Sequence, residues 1–419
     1  MIEDLKAAPG RTSDARSRNG TLASPSITGP VVDGPDDRAG EPYDIVCLSH
    51  LRWEWVTWQR PQHLMSRLAR DRRVLYVEEP VVEAGPARLA VRESTDNVWV
   101  ATPVVPPDLD AAGIVAARRE LLDGLLVEQT LGGLRLARPI GRYVLWYYDA
   151  MALEFSRHLR PLAAVYDCMD AWDAFDRPPP LFGEREAELF DRVDLVFTGG
   201  ASLHAAKVDR HPHVHLFPSS VDVAHFAQAR QPQAEPPDQA EIPRPRLGFV
   251  GTLDERLDRD LLDRVATARP GWHLVMLGPV VKIPQSSLPR RPNIWYLGGK
   301  PYRSLPSYLA GWDVALMPFA LNRATRYISP TKTPEYLAAG RPVVSTPVHD
   351  VVHPYGERGL VRIAGTVSEF IAACAAALEE GPARPSEIDA FLAETSWQQT
   401  VTAMAHLVDG AIEGRTGVA

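Results

Sequence analysis

The sequence has little cysteine, no long unbroken apolar stretch and no excess of positive charge. Its three cysteines, Cys47, Cys168 and Cys374, are odd in number and sit far apart in apolar runs. That pattern excludes a disulfide framework and a cysteine-based zinc site, and reads as reduced core thiols. No segment is apolar over the ~20 residues needed to span a bilayer, and the N-terminus lacks the apolar centre of a signal peptide. A net charge of −8 argues against general nucleic-acid binding, because phosphate backbones attract basic faces. No Gly-x-Gly-x-x-Gly follows the first strand of either half, which disfavours a dinucleotide oxidoreductase. The expectation is a cytoplasmic chain, with the inner face of the membrane as a surface it can touch.

What is present is globular: 45% of the 419 residues are hydrophobic and 23% charged. This length exceeds one typical core and favours two large domains. Residues 1–41 are rich in Gly, Pro, Ser, Asp and Arg without apolar periodicity, and read as a disordered tail. From Tyr43, apolar runs such as "DIVCLSH", "RVLYVEE", "YVLWYYD" and "LAAVYDCMD" alternate with helical patterns such as "RPQHLMSRLAR". Runs of this kind suit parallel strands covered on both faces. The Pro-rich, polar stretch Gln228–Arg246 reads as a linker, and beyond it the alternation resumes with "LGFVGT", "HLVMLGP", "NIWYLGG", "VALMPF" and "PVVST". The expected fold is therefore α/β: two Rossmann-like, doubly wound parallel-sheet domains in tandem, residues 42–240 and 241–395, facing each other across a cleft. A helix over 396–414, with Ser396 as N-cap, closes the chain and is placed back on the first domain.

Ligands of such sheets gather at the carboxyl ends of the strands, so the loops there hold the candidate site. "SPTKTPEYLAAGRPVVSTP" (Ser329–Pro347) brings Lys332 and the hydroxyls of Ser329, Thr331 and Thr333 to the head of a helix, a seat for phosphate. Glu335, one turn on, suits neutral ribose hydroxyls; its alternative role is to cap the helix. In "FVGTLDERLD", Gly251 and Thr252 allow close backbone approach, and Arg256 either forks onto phosphate or pairs with Asp254, Glu255 or Asp258. Gly278 and Lys282 are weaker candidates on the next loop. In the first domain, "SHLRWEWVTWQRPQHLM" packs three tryptophans and two arginines behind the first strand. Arg52, Trp53 and Arg60 are the expected acceptor contacts, against the alternative that the tryptophans only pack. In "YDCMDAWDAFD" the carboxylates of Asp167, Asp170, Asp173 and Asp176 would share a face if the segment were helical, and Asp170 is the candidate general base. His211, His213 and His215 alternate, but with one flanking acid and no nearby Cys they are not assigned a metal.

Together, "PTKTPEYLAAGRPVVST", "FVGTLDERLD" and "PSSVDVAHF" resemble the nucleotide-sugar-dependent glycosyltransferases of the GT-B fold, in particular the retaining family 4. "RWEWVTWQRPQHLMSRLA" and "YDCMDAWDAF" are similar to a narrower subgroup of teichuronic-acid-type transferases and transferase domains fused to UDP-galactopyranose mutase. The resemblance implies donor diphosphate at Lys332 and the amides near Thr331 and Thr333, with ribose at Glu335. It also implies transfer of a hexose-type sugar, with UDP as the expected nucleotide, to a glycan or lipid-linked hydroxyl in polysaccharide synthesis. No cofactor is implied beyond the nucleotide-sugar co-substrate. Leaving-group charge falls to Lys332, Arg256 and helix amides rather than a metal. The sequence departs from the family pattern at three places: Tyr327 stands where a glutamate precedes Glu335 by eight positions, Thr252 replaces a basic residue, and Met169–Asp170 replaces His-Asp. A nucleotide-sugar epimerase of the same architecture and a non-catalytic glycan- or nucleotide-binding module remain the alternatives.

Overall fold

The computed structural model describes residues 42–416 apart from 55–57, 95, 128–129, 132–133, 136–139 and 383–384. The tail expected over 1–41 lies outside the described residues. The described residues form seventeen strands: β1 Asp44–Leu48, β2 Val74–Val77, β3 Val81–Val82, β4 Arg88–Glu93, β5 Val98–Val105, β6 Thr130–Leu131, β7 Leu134–Arg135, β8 Tyr143–Tyr147, β9 Ala163–Cys168, β10 Leu195–Thr198, β11 Val214–Leu216, β12 Arg246–Val250, β13 His273–Leu277, β14 Ile294–Gly298, β15 Val314–Met317, β16 Val343–Ser345 and β17 Arg362–Ile363. The first sheet runs β11-β10-β9-β8-β1-β2-β5-β3, the second β14-β13-β12-β15-β16-β17, and β6 with β7 forms a separate hairpin. In both large sheets the order reverses beside the first strand, between β1 and β8 and between β12 and β15. Those are the switch points where loops diverge and leave a crevice.

The strand sequences account for this layout. All five residues of β1, of β8 and of β12 are buried, as strands covered on both faces require. β4 was not legible in the sequence: "RLAVRE" is largely exposed and pairs antiparallel on β5. Its charged alternation is that of a protected edge rather than a core strand.

The stretch read as a linker is an ordered strap. The Gln239 side chain is fully buried; its Nε2 donates to the Tyr308 carbonyl at 3.0 Å and its Oε1 accepts from Trp312 Nε1 at 2.9 Å. Arg246 donates to the Ile242 carbonyl and pairs with Glu235. The prolines here stiffen a segment laid on the second domain instead of loosening a connection. The last helix, Trp397–Thr416, crosses back to the first sheet, where Trp397, Met404 and Val408 join Ile45, Tyr76 and Trp146 in one core. The Trp397 ring stacks on His63 with centroids 4.8 Å apart, on the helix Arg60–Leu68. The three cysteines are free and buried. Among the described residues no helix is long and apolar enough to cross a membrane.

Because Trp397 is 1% exposed and anchors the returning helix, Trp397→Ala should cost about 3–5 kcal/mol. Urea denaturation monitored by tryptophan fluorescence would measure it; an unchanged midpoint would mean the helix does not stabilise the first domain.

Candidate active site

A cleft of ≈ 800 Å³, open to solvent, lies between the carboxyl edges of the two sheets. The second domain contributes Thr252, Arg256, Ser329, Thr331 and Lys332; the first contributes Arg60, Asp170, Gly199 and Ser219. Residues assigned from separate motifs thus converge on one space.

Lys332 reaches the cleft through a notch at Gly251. A Cβ built there would stand 2.6 Å from Lys332 Cε, and the φ of +155° disfavours any other residue. Gly278 repeats the device one layer below, where a Cβ would meet the Gly251 carbonyl. Burial holds the Lys332 ammonium below the ordinary lysine value, with Glu335 opposing that shift. Glu335 is 6% exposed and burial pushes its carboxyl up to about 7, with Lys332 opposing. The two are each other's counterions in a site that desolvates both. An added phosphate would favour the charged form of the lysine. The alternative capping role for Glu335 is not taken up, because the helix Lys332–Ala338 begins at Thr331 with no side-chain cap.

Arg256 combines both roles weighed for it. It lines the cleft, and its Nε and Nη2 fork onto the carboxylate of Asp254 at 3.0 and 2.6 Å. Asp254 is 2% exposed, so the guanidinium is held in place by a buried acid that the spacing alone had offered only as a competitor. Across the cleft, Arg60 donates from Nε to Asp167 at 2.8 Å and from Nη1 to the Phe217 carbonyl at 2.7 Å, which leaves Nη2 buried without a partner. Asp170 stands at the cleft wall just past β9. Burial raises its carboxyl above the usual range in spite of Arg256, Lys282 and Lys332 nearby, a condition that suits a group able to take up a proton.

Several expected site residues lie elsewhere. Trp53 is 3% exposed, its ring edge-on to Tyr76 at 5.1 Å and its backbone N–H donating to Glu78; it is a core residue, which corrects its reading as an acceptor contact. Arg52 is drawn to Glu78 and the Pro80 carbonyl and does not line the cleft. Thr333 is fully buried with its hydroxyl on Met317 sulfur and its amide on the Pro330 carbonyl, so it has nothing left to give a phosphate. Lys282 sits 4.4 Å over the Phe175 ring and 3.8 Å from Glu255. The carboxylates of "YDCMDAWDAFD" do not share a helical face: only a single turn, Trp172–Ala174, forms, Asp167 is spent on Arg60, and Asp173 and Asp176 face water. His211 contacts the Val193 carbonyl, and among the described residues no group of three His, Cys, Asp or Glu is placed to hold a metal ion.

Comparison with known proteins agrees with this layout. Residues 244–380 match the family described as glycosyl transferases group 1. A Bacillus subtilis (strain 168) protein named as teichuronic acid biosynthesis glycosyltransferase TuaH is 26% identical over 207 residues, 43% of this chain. The match spans only half of that relative's length. Among solved structures, sucrose-phosphate synthase from Thermosynechococcus elongatus superposes with a TM-score of 0.67 at 13% identity, covering 89% of this chain and 100% of that one. The E. coli trehalose-6-phosphate structure bound with UDP-2-fluoro glucose gives 0.60 at 13% identity over 87% and 99% of the two chains. Anabaena HepE in complex with UDP and glucose gives 0.59 at 13% over 87% and 99%. At these identities the structural likeness fixes the fold, which is GT-B.

The upward shift of Glu335 sets a pH-dependence of stability. Below the unfolded value of 4.5 the carboxyl is protonated in both states and burial is tolerated; as pH rises through about 7 the folded state must hold a buried charge. Glu335→Gln removes that charge. Its stability relative to wild type should be near zero at pH 5 and higher by about 2–3 kcal/mol at pH 8, measured by urea denaturation at both pH values without nucleotide. An equal difference at both would show that Glu335 is not desolvated.

Proposed function

We propose that the chain is a GT-B glycosyltransferase that moves a hexose-type sugar from a UDP-sugar to a hydroxyl of a glycan or lipid-linked acceptor, in cell-surface polysaccharide synthesis. The observation that supports this best is the convergence of Lys332 and Arg256 with Asp170 and Arg60 in one cleft between the two sheets. The match of residues 244–380 to group 1 glycosyl transferases and the relative named for teichuronic acid biosynthesis support the same reading.

In this reading the diphosphate lies against Lys332, Thr331 and Ser329, with the ribose hydroxyls donating to Glu335. As the bond from the anomeric carbon to the diphosphate lengthens, negative charge grows on the leaving oxygen. Lys332 and Arg256 are already oriented, so they stabilise that charge without reorganising. Asp170, across the cleft, receives the proton of the acceptor hydroxyl. Arg60, with its unpaired Nη2, contacts the acceptor from the first domain. With a lipid-linked acceptor the reading adds peripheral contact with the inner face of the membrane to a cytoplasmic location.

A panel of nucleotide sugars screened by thermal shift tests the reading. A donor present at about 100 times its Kd should stabilise by about 2.7 kcal/mol, seen as a rise of a few degrees with a UDP-sugar and lost in Lys332→Ala. UDP release on adding acceptor would follow the same variant. No shift with any nucleotide sugar would overturn the donor site, and conversion of donor to its epimer without acceptor would reassign the chemistry.

A further inference from the structure

Across the seam between the domains one contact is made by groups that the reaction does not use. Asp350, from the short helix His349–Val351 of the second domain, is 5% exposed. Its Oδ1 accepts the backbone N–H of Ser202 at 3.0 Å, in the first turn of the helix Ala201–Lys207 of the first domain, and lies 2.9 Å from His349 Nδ1. Its Oδ2 and the Ser202 hydroxyl are buried without partners. Gly200 makes the approach possible: a Cβ there would fall 2.2 Å from Asp350 Oδ2 and 2.6 Å from Ser329 Cβ. On the other side of Ser329, its carbonyl accepts from Ser219 Oγ at 3.1 Å. Ser329, three residues ahead of Lys332, is therefore gripped on both sides by the first domain.

We propose that Asp350 is a positioning residue, a latch that seats the second domain on the first and holds the Ser329–Lys332 loop in its cleft-lining conformation. This rests on the reading of that loop as the donor seat. The energetics suit a reversible device. A hydrogen bond to a carboxylate is strong when buried. Opening returns both Asp350 and the Ser202 amide to water, which recovers most of the interaction and leaves a small net preference for the closed state. A nucleotide that contacts the gripped loop could then bias the equilibrium, since only differential affinity shifts it. Closure of this kind excludes water from the reacting sugar and commits it to transfer.

The test compares full-length wild type with Asp350→Ala, Asp350→Asn, Asp350→Leu and Gly200→Ala, by hydrogen exchange of the Ser202 amide and by small-angle scattering, with and without UDP. Gly200 has extended backbone, with φ of −167°, so alanine there acts only as a wedge against Asp350 and Ser329 and leaves the carboxylate in place. Asp350→Ala and Gly200→Ala should each speed Ser202 exchange by about tenfold or more and enlarge the radius of gyration by about 1 Å. Asp350→Asn keeps the shape and one acceptor oxygen and should keep most of the protection, whereas Asp350→Leu, of similar bulk but without an acceptor, should lose it, which a purely steric role for the site would not give. Unchanged exchange and unchanged dimensions in Asp350→Ala and Gly200→Ala would overturn the latch. Failure of UDP to protect residues 329–335 in wild type would overturn the donor reading instead, while Ser202 exchange still decides the latch.

Discussion

The arrangement depends on two opposite charges on the cleft-facing helix of the second domain, the Lys332 ammonium and the buried Glu335 carboxyl three residues on, each within the other's field. Each is desolvated enough to shift toward its neutral form, and each opposes the other's shift. Such charges are poorly compensated by their surroundings, which is why the proposed donor sets an anion at the lysine and hydroxyls at the acid. The rest of the local structure keeps that pair where it is. Gly251 opens the notch for the lysine stem, and Asp254 pins Arg256 at the same mouth.

The two sheets explain why such a pair faces anything at all. Each sheet reverses its strand order beside its first strand, so each opens a crevice at its carboxyl edge, and the returning helix Trp397–Thr416 ties the end of the chain to the first domain. Arg60 works at the joint. It holds Asp167 at the end of β9 and the Phe217 carbonyl just past β11, the segment that leads into the second domain. The first-domain wall of the cleft and the hinge are thus fastened by one guanidinium, whose third nitrogen is buried without a partner. The Tyr327 ring, from the second domain, packs against the first-domain core cluster and contributes to the seam.

Much of this was legible in the sequence, and the exceptions share a cause. Continuous apolar runs identified the core strands, and the motif around Lys332 identified a loop that lines the cleft, because both signals are local. Asp170, Arg256 and Arg60 were placed correctly in the cleft by strand-end position. What was misread depended on partners far away in the chain. Arg52 and Trp53 are captured by Glu78, at the end of a neighbouring strand; Lys282 is exposed, with its ammonium over the Phe175 ring of the other domain and near Glu255; Thr333 turns inward to Met317. The supports Asp254, Asp167 and Asp350 carry no local signature, since each matters only through the group it holds. The Pro-rich linker is laid down as an ordered strap, which composition does not report, because its docking is decided by buried Gln239 and Arg246.

The central claim, that Lys332 reads the second phosphate of a nucleotide, is tested most directly by titrating UDP and UMP calorimetrically into wild type and Lys332→Ala. UDP should bind wild type at one site and about tenfold or more tighter than UMP, the strength of a charge-assisted contact. Lys332→Ala should bring the two affinities together. Equal affinity of wild type for UDP and UMP, or a difference that survives in Lys332→Ala, would contradict the account.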